Sequence, residues 1–232
     1  MKLAILCFLA SLLAFPLSAQ VQNAEQYELA KKKWLTDPSN PDNWVWYGRR
    51  AAYTGDYEKA ISIYTDGFAR FPTDARFLRH RGHRNISLRN YEQAILDFEQ
   101  AAILIQGSKN QIEPDGMPNA AGIPVSTLHG NIWYHLGLAY YLVHNYEKAY
   151  EAYLKCRASG DNYDNIVSST NWLFMIQQRM GNPKKADEML APIQENKSVI
   201  ENQNYYDLCL FYKGLLPLSS LEKQLEDNPA AD

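Results

Sequence analysis

Apolar residues recur along this chain at the three- and four-residue intervals that place side chains on one face of a helix. The first such stretch runs from Val21 to Leu35, and a turn-rich segment that begins at Thr36 ends it. We therefore predict an amphipathic helix whose apolar side must be covered by a neighbouring helix. That side consists of Tyr27, Ala30, Trp34 and Leu35.

One short sequence motif, Asp/Asn-Tyr-Glu-Lys/Gln-Ala, begins at Asp56, Asn90 and Asn145, and a looser copy begins at Asn182. The Asp or Asn can cap the free N–H groups of a helix start, and the Glu suits the positive end of the helix dipole. In the fourth copy Pro183 follows the cap, where its missing N–H costs nothing. The spacing of the first two copies, from Asp56 to Asn90, matches the period of stacked two-helix repeats.

Residues 41–74 form the clearest repeat. Gly48 and Ala60 are small residues at which two antiparallel helices can cross closely, while Tyr47 and Tyr64 fill the space around the crossing. The order of a large residue, a small Gly, an Ala, an aromatic residue and a closing Pro resembles the tetratricopeptide repeat (TPR) family. The resemblance implies an all-α fold, a right-handed superhelical solenoid of helix-turn-helix repeats with helical caps.

The regular spacing of the motif is broken once. Its third copy begins only at Asn145, well beyond one repeat length after Asn90. Loops as long as this surplus are usually functional or disordered, and a functional cover and a passive insertion both stay open. Phe174 stands where the family has Gly, which predicts a wider helix crossing in the last repeat. The predicted organisation is one domain over 20–232, with repeats at about 41–74, 75–107, 130–163 and 167–200, an insertion at about 106–126 and a helical cap at about 204–226.

The segment 1–19 reads as a secretory signal peptide. Lys2 supplies a positive start, an apolar run extends to Phe15, and Ala19 offers a small residue for cleavage. The apolar run is too short to favour a membrane span. We therefore expect an exported protein, periplasmic or secreted, with no stable membrane insertion after cleavage.

The net charge argues against nucleic-acid binding, and the positions of the cysteines argue against a disulfide. The formal net charge is −3, and loss of Lys2 makes the mature chain slightly more acidic, so no bulk attraction to nucleic acid is expected. Cys156 and Cys209 remain after cleavage; two buried free thiols are favoured over a disulfide, because the two residues fall on helices that are not neighbours in sequence.

The partner-binding surface is predicted from the resemblance together with helical periodicity. In the family, the first helix of each repeat lines a concave groove that grips a protein or peptide, and periodicity relative to the core selects the residues that project into it. This groove would run from a basic end to an aromatic end and then to an amide-rich end. The selected residues are Arg49, Tyr53, Arg76, Arg79, His83, Tyr134, Tyr141, Asn171 and Gln178.

The segment from Arg76 to Arg84 is the densest basic stretch of the chain. Arginines bind carboxylates through paired hydrogen bonds, so this helix could hold an acidic peptide or a chain terminus. The alternative is a solvated helix whose arginines pair with neighbouring acids such as Glu92 and Asp97.

His80 and His83 have a spacing that metal sites can use, but the sequence fixes no third ligand. No zinc-protease, phosphate-loop, nucleophile-elbow or dinucleotide motif occurs. We therefore predict no cofactor, no metal and no enzyme activity. The favoured function is a non-catalytic module that binds an extended peptide or protein segment. The alternative is a scaffold of an envelope or secreted complex that acts through its convex face or caps, and a third hypothesis is a metal-dependent or enzymatic role at the inserted loop.

Overall fold

The structure, a computed structural model, describes residues 20–227. Over these residues the regular structure is helical, apart from an isolated antiparallel bridge between Ile112 and Thr127. The predicted all-α class is confirmed. The predicted signal peptide lies outside the described residues and stays a prediction.

Short turns separate most successive helices, and the predicted bounds of the repeats, the insertion and the cap stay predictions. Within the described residues the helices are α1 (20–36), α2 (Pro41–Tyr53), α3 (Tyr57–Arg70), α4 (Ala75–Ser87), α5 (Tyr91–Leu104), α6 (Leu128–Leu142), α7 (Tyr146–Ala158), α8 (Tyr163–Arg179), α9 (Pro183–Met189), α10 (Gln203–Tyr212) and α11 (Leu218–Asp227).

The chain divides into two compact units. The first unit ends at Asn90 and contains α1 to α4, and the second unit begins at Tyr91 and contains α5 to α11. The division falls inside the segment that the sequence assigned to the second repeat. The interpretation of 20–232 as a single domain therefore stays a prediction.

Aromatic side chains hold the first unit together. The Trp34 ring of α1 stacks on Tyr47 of α2, with 5.1 Å between ring centroids, and meets Trp44 edge-on at the same distance. Helix α1 thus covers α2, as its apolar side predicted. One member of that side was misassigned, because Leu35 is 63% exposed at the end of the helix.

The capping role of the repeated motif is confirmed in two copies. The Asp56 side chain accepts a hydrogen bond from the Lys59 N–H at 3.0 Å, and Asn145 accepts one from Lys148 at 3.2 Å. The fourth copy is different, because Asn182 makes no side-chain cap. Its amide instead donates to the Gln177 side chain at 3.2 Å.

In the second unit, α6 pairs with α7, α8 lies against both α7 and α9, and α10 packs on α8. Tyr153 of α7 is completely buried and stacks on Trp172 of α8, with 5.4 Å between ring centroids. Phe174, which replaces the expected Gly, stacks on Tyr212 of α10 at 4.2 Å. The bulky residue therefore serves the contact between the last repeat and the closing helices.

The inserted segment is tied to the helices beside it. The Asn110 amide donates to the Thr127 hydroxyl at 3.0 Å and to the Ser159 carbonyl at 2.6 Å. The buried Glu113 accepts a hydrogen bond from the Asn131 amide of α6 at 2.6 Å. These contacts make the insertion a wall of the second unit, and its functional role stays open.

Cys156 and Cys209 are buried and free, as the sequence favoured. Burial raises the pKa of each thiol to about 12, so both are protonated near neutral pH. We expect neither thiol of the native protein to react with a disulfide reagent at about pH 8, where an exposed thiol reacts readily. Counting reacted thiols before and after addition of denaturant tests this: fast reaction of the native protein would contradict the burial.

Candidate functional site

Two helices of the second unit, α6 and α8, present a continuous aromatic surface. Tyr134 and Tyr141 lie seven residues apart on α6, and Trp172 lies between their rings on α8. The Trp172 ring meets Tyr141 edge-on at 5.2 Å and Tyr134 edge-on at 6.4 Å. All three side chains are half-buried. We call these three residues the aromatic strip.

Hydrogen bonds fix the orientation of the strip. The Trp172 indole N–H donates to the Tyr134 hydroxyl at 2.9 Å, and that hydroxyl lies 2.8 Å from the hydroxyl of Tyr205 on α10. At the other end, the Arg179 Nε donates to the Tyr141 hydroxyl at 3.3 Å. Burial raises the pKa of Tyr134 far above its ordinary value, so the phenol stays neutral. The strip is therefore rigid and uncharged along most of its length.

The structure corrects one predicted groove residue on α8. Asn171 is 1% exposed, so it is not available to a partner. Its neighbour Trp172 occupies the half-exposed face instead, because a shift of one residue turns a side chain by about 100° around the helix. Gln178, also assigned to the groove, is exposed. The sequence of this repeat diverges from the others, so its apolar periodicity was too weak to predict the rotation of α8 about its own axis.

A polar cavity of about 240 Å³ adjoins the strip at Tyr134. Its wall is rich in amide and hydroxyl groups, with Asn131 and His135 from α6 and Asn165 and Ser168 from α8. Several of these groups already have partners: the Asn165 amide donates to the carbonyls of Arg157 and Gly160 at 3.1 and 3.0 Å. The cavity is thus a built recess beside the aromatic strip, and the sequence had not pointed to it.

Asp164 holds one side of this cavity in place. Its carboxylate accepts hydrogen bonds from the backbone N–H groups of Ile200, Glu201 and Asn202, at 3.0, 2.8 and 2.9 Å. Asp164 is 4% exposed and lies in the first turn of α8, where a negative charge is also favoured by the helix dipole. One carboxylate therefore fastens the segment before α10 to the start of α8.

The remaining predicted groove residues lie in the first unit. Arg49 is 9% exposed and its guanidinium lies 4.5 Å from the centre of the Trp46 ring. It also donates to the hydroxyl of Tyr53, which is half-buried, at 3.5 Å. Arg79 and His83 are half-buried on α4.

Arg76 pairs with acidic residues, as the alternative of a solvated helix predicts. Its partners are not Glu92 and Asp97, which the sequence suggested. Its guanidinium forms ion pairs of 2.6 Å with both Asp42 and Asp74. These pairs raise the pKa of Arg76 further above its ordinary value. Its charge is thus matched inside the first unit.

No group of three or more His, Cys, Asp or Glu side chains in the described part of the chain is arranged to hold a metal ion. No helix in residues 20–227 combines the length and the apolar character needed to cross a membrane.

The fold as a whole resembles known structures more clearly than the sequence does. No protein-family model and no curated protein matches the sequence. Among solved structures, TTC0263 of Thermus thermophilus, a TPR protein, is 16% identical, with 86% of this chain and 96% of that chain covered and a TM-score of 0.58. YrrB, also a TPR protein, is 15% identical over 88% of this chain and 95% of its own, with a TM-score of 0.54. MamA of Desulfovibrio magneticus RS-1 is 18% identical over 73% and 82%, with a TM-score of 0.55.

This chain has a TPR-like fold. Within that fold, the sequence selected the tyrosines of α6 because they repeat at a helical spacing, and it did not select Trp172, Asp164 or the cavity. The surplus of residues before α6 was the available signal for the cavity, since the inserted segment supplies part of its wall. Nothing local in the sequence marked Asp164 as the residue that binds the segment before α10.

Proposed function

We propose that this protein is a non-catalytic interaction module that binds an extended peptide or protein segment on the aromatic strip. The observation that supports it is the strip itself: three half-buried aromatic side chains on α6 and α8, with their polar groups already oriented. Tyr and Trp side chains give large contact areas at a small cost in conformational entropy, and they dominate binding at protein interfaces.

The surroundings of the strip suit a polypeptide. The exposed Gln178 and the amides of the adjoining cavity can exchange hydrogen bonds with a peptide backbone, while the strip contacts apolar side chains. YrrB, one of the structures with the same fold, is described as a TPR protein with an unusual peptide-binding site. We also propose that the protein acts after export, on the pattern of the segment 1–19.

A second candidate function is that of a scaffold. Leu96 and Ile103 are 58% and 63% exposed and lie seven residues apart, hence on one face of α5. An exposed apolar face of this kind would support assembly with other proteins.

Matched tyrosine variants distinguish the two functions. Tyr141→Ala shortens the aromatic strip, and Tyr150→Ala removes an equally half-buried tyrosine from α7. Peptides selected from a random display library on the intact protein should bind Tyr141→Ala at least about tenfold more weakly, because aromatic anchors carry a large part of an interface's energy. Fluorescence anisotropy measures this change.

The control should retain the affinity of the unaltered protein within about twofold, since most surface changes outside an interface have small effects. Equal losses in the two variants, or a library that gives no binder, would contradict the peptide-binding function. Concentration-dependent self-association that Leu96→Glu abolishes would then favour the scaffold.

A further inference from the structure

The polar cavity beside Tyr134 carries charge of one sign. Its lining includes the carboxylates of Asp164 and Glu201 and, among the side chains that the structure describes, no lysine or arginine. Asp164 is 4% exposed, and neither carboxylate forms an ion pair with a described side chain. The cavity therefore favours a ligand with a positive charge.

The protein itself already uses most hydrogen-bond donors of the wall. Both N–H groups of the Asn165 amide donate to backbone carbonyls, as described above, and the Ser168 hydroxyl donates to the Asp164 carbonyl at 2.9 Å. Nδ1 of His135 donates to the Asn131 backbone carbonyl at 2.7 Å. An anionic ligand, which needs donors, would find few of them here.

Several acceptors of the wall remain open. The side-chain oxygens of Asn131 and Ser168 accept no hydrogen bond from a described residue, and Ser168 is 7% exposed. The amide oxygen of Asn165 faces only the Cys156 thiol, a weak donor, at 3.7 Å. Glu201 accepts a hydrogen bond at one carboxylate oxygen and has a second oxygen. The open capacity of the cavity is thus for a ligand that donates hydrogen bonds.

We infer that this cavity binds a primary ammonium group. The open oxygens of Asn131, Asn165 and Ser168 accept its hydrogen bonds, and the two carboxylates supply the opposite charge. An ammonium has three donors that diverge and no acceptor, whereas a guanidinium holds its donors in one plane. Acceptors that come from two helices, α6 and α8, suit diverging donors.

Tyr134 connects this cavity to the aromatic strip, because it belongs to both. A lysine side chain of a segment bound on the strip lays its apolar stem along Tyr134 and places its ammonium in the cavity. This step rests on the proposed function and adds the chemistry of the partner, a segment that contains lysine. A small free amine carries the same group and reaches the cavity without the strip.

Two variants test the charge and the space of the cavity separately, each with a matched control. Glu201→Gln removes a charge and keeps an oxygen for the Asn119 amide, while Glu195→Gln removes an exposed charge of the same segment outside the cavity. Ser126→Phe adds a ring to the cavity wall, and Ser198→Phe adds the same ring at an exposed position outside it.

The probes are peptides of alternating leucine and serine with a central lysine, arginine or norleucine, labelled at the N terminus with fluorescein, which blocks the terminal amine. Anisotropy should show the lysine peptide bound at least about tenfold more tightly than the norleucine peptide, as expected for charged hydrogen bonds, and more tightly than the arginine peptide. Raised salt should weaken binding of the lysine peptide.

The variants should separate from their controls with the same lysine peptide. We expect Glu201→Gln to weaken its binding at least about threefold and Ser126→Phe at least about tenfold, and both controls less than about twofold. Butylamine is the second probe, because the NMR signals of the Asn131 and Asn165 side-chain amides should shift when it binds.

The two probes distinguish the sources of the ammonium. Preference for the lysine peptide identifies a lysine side chain, and shifts with butylamine without that preference identify a small amine. Equal binding of the lysine and norleucine peptides together with unshifted amide signals would overturn the inference, as would tighter binding of the arginine peptide or equal effects of variants and controls.

Thermal unfolding shows whether each variant keeps its fold, and if Ser126→Phe does not, Glu201→Gln decides alone. The proposed function has its own test with library peptides. If these still lose affinity with Tyr141→Ala while both ammonium probes fail, the proposed function stands and this inference does not.

Discussion

Replacement of Asp164 by alanine is expected to lower the free energy of unfolding by about 3 kcal/mol, since hydrogen bonds to a charged group contribute about 1.5–3 kcal/mol each and water can replace part of them. Three backbone N–H groups, those of Ile200, Glu201 and Asn202, lose their acceptor at once. Asp164 is 4% exposed, so the alanine leaves these donors in a poorly hydrated place. Urea denaturation measures the change.

Asp161→Ala is the matched control for this prediction. Asp161 is an exposed aspartate three residues earlier, and its replacement should change the free energy of unfolding by less than about 0.5 kcal/mol. In Asp164→Ala, hydrogen exchange of the amides of Ile200 to Asn202 should accelerate far more than exchange in α6 and α7. A cost equal to that of the control would show that the carboxylate does not fasten this segment.

Replacement of Gly48 by alanine is expected to destabilise the protein by about 2–3 kcal/mol, within the range for overpacked cores. A Cβ on Gly48 would lie 2.3 Å from Cε1 of Tyr64, far inside van der Waals contact. Tyr64 is 1% exposed, so its ring has no free space into which to move. The higher helix propensity of alanine returns only about 1 kcal/mol.

A double variant checks that the clash is the cause. With Tyr64→Leu already present, the ring is gone, and Gly48→Ala should cost much less than it does alone, so the two changes are strongly non-additive. Chemical denaturation of the two single variants and the double variant gives the interaction energy. Additive costs would show that the close crossing of α2 and α3 does not depend on this contact.

The same close crossing recurs in the second unit. This recurrence explains why the repeats could be recognised in the sequence. A Cβ on Gly137 would lie 2.6 Å from the Tyr153 ring, just as one on Gly48 would meet Tyr64. Each pair sits at the same two places of its repeat, a glycine on the first helix and an aromatic residue on the second. Because the requirement is steric and local to one helix pair, it leaves a strict spacing of residue types.

The groove assignments show where such local reasoning ends. On α6, the assigned residues Tyr134 and Tyr141 are half-buried. On α8, the assigned Asn171 is buried and Trp172 takes its place. The rotation of α8 depends on the contacts of its other sides, including the stacking of Phe174 on Tyr212 and of Trp172 on Tyr153.

By itself, the sequence determined the all-α class and the caps of two helices, because caps, small residues at crossings and helical periodicity act over short distances. Only the tertiary structure decided which charges and polar groups meet. Arg76 pairs with Asp42, which is 34 residues away, and Asp164 binds backbone groups 36–38 residues away. Such contacts depend on how whole helices pack. The sequence therefore cannot distinguish Arg76, whose charge is matched by carboxylates, from Arg84, which stacks on a ring.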